Sequence, residues 1–372
     1  MRINLQICIM NNRELIYSLI RMSLADAQEG FDVFEGVSAP QWEWAFRALS
    51  MHGLVAFVFP VVERLPQEVR PPKEVVLKFI SADVAGRKSY ARLKGLAGKI
   101  DDEMREVGVK CLLLKGLSLA EYYPRPESRK FLDIDLYAPG AESRVDEAFA
   151  AKGVEVDTEF YRHSHMTLGG ILVENHHCLL DVRGRERFRV SDGDLKRMAL
   201  RHLESFEGPG LYYPDACFSL IFNLHHAMSH FIYEGISFKF LVDWILFLRR
   251  ERELLTSDQA AASLRGHGVL KFAAVMSRVA VEHLGMPLEE VPECIRQEMT
   301  NLDPRVVDRF IDDLFRPYEQ IHQKNIIAER LHSVRRIIKA AWKPKEFLGQ
   351  SAVGFVWDKF VPILMGRKFE AD

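Results

Sequence analysis

Two aspartates, Asp133 and Asp135, stand in the run FLDIDLYAP, a short apolar stretch closed by Pro139 and Gly140. Strand side chains alternate between faces, so positions i and i+2 point the same way. Leu132, Ile134 and Leu136 then point the other way, as in a strand anchored on a core. Two carboxylates on one strand face repel each other and resist desolvation unless a cation lies between them. A hard divalent cation such as Mg2+ suits an all-oxygen site completed by substrate phosphates. An exposed strand face that merely carries acids would read the same, so the pair is weighed with its surroundings.

Upstream, KCLLLKG reads as a short buried strand ending in glycine, and Lys115-Gly116-Leu117-Ser118 stands at its exit into a helix or turn. Glycine there lets the backbone approach a ligand closely. Backbone N–H groups at a helix start can cradle phosphate, with the Ser118 hydroxyl and Lys115 at hand. A third acid comes from downstream. The runs VDTEFYRHSHMTL and ILVENHHCLLDV are joined by Gly169-Gly170, a strong hairpin signal because primed turns need positive φ. The simplest register sets His165 opposite Glu174 and His163 opposite His176, all on one sheet face. An exposed hairpin face is the alternative for His163. Asp181 has the opposite parity unless a bulge intervenes, so it ranks below Glu174.

These residues need elements to hold them. Residues 14–107 read as helical, with a Pro-rich loop at Arg64–Glu74 and one long helix over Lys78–Val107 that Gly108 stops. A compact α/β unit follows, with a helix over Ala141–Lys152, and from about Phe188 the chain reads as helical to its end. The expected organisation is an N-terminal helical region at 1–107, an α/β core at 108–205 and a C-terminal helical domain at 206–372. The fold class is α/β (α+β), a small mixed sheet between helical flanks.

Composition narrows the function classes. Lys plus Arg number 50 against 52 for Asp plus Glu, so no globally basic nucleic-acid coat exists, although a local patch is not excluded. Five dispersed cysteines without a CxxC pair argue for reduced thiols and a cytoplasmic setting. No apolar run reaches the roughly 20 residues that a spanning helix needs, and the N-terminus reads as carrying no signal peptide.

The segment LLLKGLSLAEYYPRPESRKFLDIDLY resembles the signature of the uncharacterised nucleotidyltransferase family, within the polymerase-β-like superfamily. Gly116, Arg129, Asp133 and Asp135 fall on its pattern, and Glu174-Asn175-His176 matches its acid–x–histidine strand, with His163 or His165 as the upstream histidine. His52-Gly53-Leu54-Val55 and LIFNLHHAMSH…FLVDW are similar to its flanks, so the resemblance spans about Trp42–Leu248. One departure is the turn, where well-characterised superfamily members place Gly-Ser and here Lys115-Gly116 stands, with Ser118 displaced.

The resemblance implies transfer of a nucleoside monophosphate from an NTP to an acceptor hydroxyl on a small molecule, sugar or protein. Asp133, Asp135 and Glu174 would be catalytic and would hold Mg2+ (or Mn2+). Lys115, Gly116, Ser118 and Arg129 would bind nucleotide, with Arg129 or Lys115 neutralising phosphate charge. His165 and His176 would support the acids or face the acceptor. Two other readings compete. One is a catalytically inactive nucleotide-binding or scaffold protein of the same fold. The other is a hydrolase holding a transition metal on His163, His165, Glu174 and His176. His225, His226 and His230 read as helix packing, with Asp243 pairing a buried histidine, and Arg330–Lys345 as a solvated basic face.

Overall fold

A computed structural model describes residues 10–182, 186–255, 257–316, 339–351 and 354. Four helices lead: α1 (Asn12–Leu24), α2 (Ala39–Met51), α3 (Val55–Arg64) and α4 (Lys73–Glu106). Then come β1 (Lys110–Leu114), α5 (Gly116–Ala120), β2 (Asp133–Tyr137), α6 (Glu142–Ala151), β3 (Val156–Asp157), β4 (His163–Leu168) and β5 (Ile171–His176). The rest runs α7 (Glu186–Glu204), β6 (Gly210–Tyr212), α8 (Ala216–Tyr233), α9 (Phe238–Arg250), α10 (Arg252–Leu255), α11 (Asp258–Gly266), α12 (Leu270–Leu284), α13 (Glu293–Thr300), α14 (Pro304–Leu314) and α15 (Trp342–Leu348).

The sheet is mixed and six-stranded, in the order β3-β4-β5-β2-β1-β6. The fold is thus the expected α/β class with helical flanks. Strand alternation divides its two faces. Cys111, Leu113, Ile134, Leu136 and Val173 pack on Leu93, Ile100 and Met104 of α4 and on Val145 and Phe149 of α6. Leu112, Leu114 and Tyr137 turn to the other face and join the larger helical core. Asp133 and Asp135 share the parity of Tyr137, so they also point toward the C-terminal helices. There the side chains stop short of contact and leave a cleft of about 440 Å3 between the sheet face and α8–α9.

The hairpin forms in the expected register, with His165 opposite Glu174 and His163 opposite His176. Both turn glycines have positive φ, 56° at Gly169 and 74° at Gly170. Three expectations need correction. The run VDTEFYRHSHMTL is not one strand: it reverses between Asp157 and His163, so that β3 pairs antiparallel with β4. Asp157 starts that reversal by accepting the Glu159 N–H on its side chain at 2.9 Å, a local turn that competes with extended pairing. The chain past Phe188 is not all helical either, because β6 adds a parallel edge strand to β1. The long helix begins at Lys73, directly after Pro71 and Pro72, where a fixed φ suits a helix start.

In the basic run, Arg330, Arg335 and Arg336 lie outside the described residues. Lys343 is no part of a solvated face: it is buried and pairs with Asp313 at 2.8 Å.

Candidate active site

The bottom of the cleft is formed by the amino-terminal half of β2 and the parallel strand β5 beside it. Asp135 of β2 stands in register with Glu174 of β5, and Asp133 lies one pleat away with Leu172 as its partner. Across the antiparallel neighbour β4, His163 and His165 rise on the same face. The cleft is lined by Lys115, Gly116, Asp133, Asp135, Glu174 and the imidazoles of His163, His165 and His176.

Asp135 is the most enclosed of the acids. Lys115 Nζ lies 2.6 Å from its Oδ1, and His176 Nε2–H donates to the same oxygen at 3.0 Å. A carboxylate can only accept here, so this contact places the His176 proton on Nε2. Burial works against the Asp135 charge, but Lys115 and the His176 hydrogen bond outweigh it and hold the carboxyl well below its ordinary range. Asp133 goes the other way, raised by burial and by the charge of Asp135. Glu174 is pushed up to about 7, again by burial first and Asp135 second. The trio therefore carries more negative charge than this desolvated pocket accommodates, which is the electrostatic setting of a cation site. Among the described residues, Asp135, Glu174 and His176 present ligand atoms that all lie within 4.8 Å of one another.

The turn before β2 departs from its sequence reading in one respect. The unusual backbone is at Lys115, with φ 43° and ψ −115°, and not at Gly116. Gly116 is required for a different reason: a Cβ there would lie 2.8 Å from Phe131 Cδ2. Ser118 donates its hydroxyl to the Lys115 carbonyl at 2.8 Å, so it braces the turn and does not line the cleft.

Arg129 borders the cleft but directs its guanidinium elsewhere. It donates from Nε and Nη2 to the two Asp243 oxygens at 2.8 and 2.9 Å, and from Nη1 to the Gly116 carbonyl at 3.2 Å. Tyr123 donates to Asp243 at 2.8 Å as well. Asp243 therefore serves an arginine and a tyrosine, and not the buried histidine expected for it.

The opposite wall holds residues that the sequence reading set aside. His226 and His230 line the cleft together with Lys239 and Phe240. All three histidines of α8 also pack as expected, His225 at 5.6 Å edge-on to Phe188 and His226 and His230 against Phe240 at 5.8 and 5.2 Å. His230 is oriented by Glu234, 2.8 Å from its Nδ1. Lys239 donates to the Lys130 carbonyl at 3.3 Å; burial and the nearby Arg129 lower its ammonium to about 8. The spacing of His226 and His230 was the available signal, since i and i+4 share a helix face. Asp181 lies apart, lining a separate cavity beside His225.

No helix among the described residues is long and apolar enough to cross a membrane. Comparison with curated proteins gave no match, and comparison with solved structures gave none. A family model described as an uncharacterised nucleotidyltransferase matches residues 38–285, a span that takes in the sheet, the acids and both walls of the cleft. The chain belongs to this uncharacterised nucleotidyltransferase family.

Proposed function

We propose that the protein transfers a nucleoside monophosphate from an NTP to a hydroxyl of a small molecule, sugar or protein, using Mg2+ or Mn2+. The observation that carries this reading is Asp135 in register with Glu174, beside Asp133, beneath a cleft with cationic side chains on its rim. The cleft volume of about 440 Å3 lies within the range of small-ligand sites. Asp133, Asp135 and Glu174 offer the hard oxygen donors that Mg2+ prefers, and their raised or strongly compensated carboxyls fit an added cation.

When bound, divalent cations would neutralise the triphosphate and stabilise the entering and leaving oxygens of an in-line displacement. Asp133 and Asp135 would hold them from one strand face. Glu174 would complete the set and help draw the proton from the acceptor hydroxyl. His176, donating to Asp135, would fix that carboxylate's orientation. Lys115 and Lys239 would face phosphate charge from opposite walls. Arg129 would act through the chain, holding the Gly116 carbonyl and thereby the turn on which phosphate rests.

The test is calorimetric titration of each of the four common NTPs into wild type and Asp133→Ala/Asp135→Ala, with Mg2+ and with EDTA. Metal-dependent binding that the double variant loses is the expected result. A folded wild type that binds no NTP under any condition would sink the proposal. A second reading, an inactive nucleotide-binding or scaffold protein, draws on the ammonium that sits on Asp135 at 2.6 Å. Its signature would be binding indifferent to Mg2+ and to loss of the aspartates.

A further inference from the structure

We propose that His163, His165 and Glu174 form a transition-metal site, selective for Zn2+ over Mg2+, beside the carboxylate site and sharing Glu174 with it.

The geometry is that of adjacent antiparallel strands. His163 and His165 share one face of β4 by their i, i+2 spacing, and His165 is the direct cross-strand partner of Glu174. His165 Nε2 lies 3.5 Å from Glu174 Oε1, and His163 Nδ1 lies 4.0 Å from Oε2. All three ligand atoms fall within 4.8 Å of one another. Donors on a tetrahedral Zn2+ with bonds of about 2.0–2.2 Å stand roughly 3.4 Å apart. The three side chains are therefore within small rotamer adjustments of a common metal position.

The second observation concerns hydrogen bonding. His163 Nδ1 and His165 Nε2 are buried, and neither has a hydrogen-bond partner. Only 9% of His163 is exposed. Burying polar nitrogen without a partner is unfavourable, and both nitrogens face the same carboxylate. The rings are held in place by stacking: His163 on His165 with centroids 4.5 Å apart, and Phe160 over His165 at 4.1 Å. Phe160 sits in the turn between β3 and β4, so the Asx-type reversal at Asp157 puts the aromatic cap over the two imidazoles. Preset rings lose little freedom on coordination.

Donor chemistry selects the ion. Two imidazoles and one carboxylate suit Zn2+, while Mg2+ prefers oxygen alone. Three protein ligands leave a fourth position, as in catalytic zinc sites, and here it opens toward the cleft. Glu174 Oε2 also lies 3.6 Å from His176, on the Asp135 side, so the carboxylate stands between the two sites. The inference borrows Glu174 from the nucleotidyltransfer reading but requires no nucleotide chemistry.

The test uses the full chain without a histidine tag, purified without chelator, and measures bound metal by mass spectrometry and Zn2+ affinity against a competing dye. The expected result is one equivalent of Zn2+ in wild type and in Asp133→Asn/Asp135→Asn. His165→Ala, and separately His163→Ala, should weaken Zn2+ by more than the roughly 10–100-fold that disturbing a supporting residue costs. Circular dichroism and melting of each variant check that it is folded; His165→Asn serves if the alanine variant is not. Zn2+ affinity that is absent in wild type, unchanged in the histidine variants, or lost in the aspartate double variant would each overturn the site. NTP binding in Mg2+, measured on the same preparations, separates this outcome from the failure of the transferase reading.

Discussion

Lys115 shows how one position can be strained and charged for the same purpose. Its φ of 43° and ψ of −115° fall where glycine is the usual occupant, yet only a long cationic side chain can reach Asp135. Lys115→Ala should leave the buried Asp135 carboxylate without its ammonium, with only the His176 hydrogen bond remaining, and cost about 3–5 kcal/mol. Lys115→Gly loses the same charge but releases backbone strain, so it should melt higher than the alanine variant, by about 1 kcal/mol in stability. If lysine and a divalent cation share Asp135, added MgCl2 should raise the melting temperature of both variants more than that of wild type. Equal shifts in all three proteins would show that they do not share it. The common face of Asp133 and Asp135 and the pairing of His165 with Glu174 were legible from letters alone, because parity and a two-glycine turn determine them; the parallel register that brings Glu174 beside Asp135 was not. The reason for Gly116 was not. It depends on Phe131 returning over the turn, a contact made by loop geometry that no periodicity encodes.

Elements with strong periodicity were readable and short ones were not. The long helix α4 carries Phe79, Leu93, Ile100 and Met104 on one buried stripe, and its stop at Gly108 follows from a φ of 68° there. The edge strand β6 has three residues, too few to show alternation, and it exists because β1 offers an open edge. His52, at the end of α2, illustrates a junction invisible in sequence. Its Nδ1 accepts the Phe238 N–H at 3.2 Å and so ties α2 to the start of α9. Burial lowers the imidazole to about 4. A group with a depressed folded value contributes its full stability above the unfolded value near 6.5 and loses it as pH falls toward 4. Between those limits wild type should lose roughly 3 kcal/mol through this residue. His52→Gln keeps an acceptor but cannot titrate, so its urea midpoint should fall less than wild type's between pH 6.5 and 4.5. Parallel midpoints would remove His52 from the acid response.

At the scale of the molecule, the cleft has one wall from the sheet and one from the C-terminal helices, so its shape depends on how these are joined. The family match at 38–285 crosses that junction, as expected if neither wall suffices alone. The joint is a buried network: Arg129 on the approach to β2 meets Asp243 on α9 at 2.8 Å, Tyr123 donates to the same carboxylate, and Arg129 also holds the Gly116 carbonyl. The family resemblance placed Arg129 on the nucleotide, as a residue that neutralises phosphate charge. It could not foresee Asp243, more than a hundred positions away and on another element. Desolvation makes such a pair a weak source of net stability but a costly thing to break from one side. Asp243→Leu should therefore destabilise the protein by about 3–5 kcal/mol by stranding the guanidinium. Arg129→Met together with Asp243→Leu should recover most of that loss, so the denaturation cycle should show a coupling energy far above the roughly 0.5 kcal/mol within which independent sites add. The double variant separates stability from function. If the network's role is to hold the turn and α9 at a set distance, the refolded double variant should still bind NTP more weakly, because Gly116 and Lys239 have lost their common anchor. Additive destabilisation in the cycle would show that Arg129 and Asp243 are not coupled. Wild-type NTP affinity in the double variant would show that the cleft is positioned by packing alone.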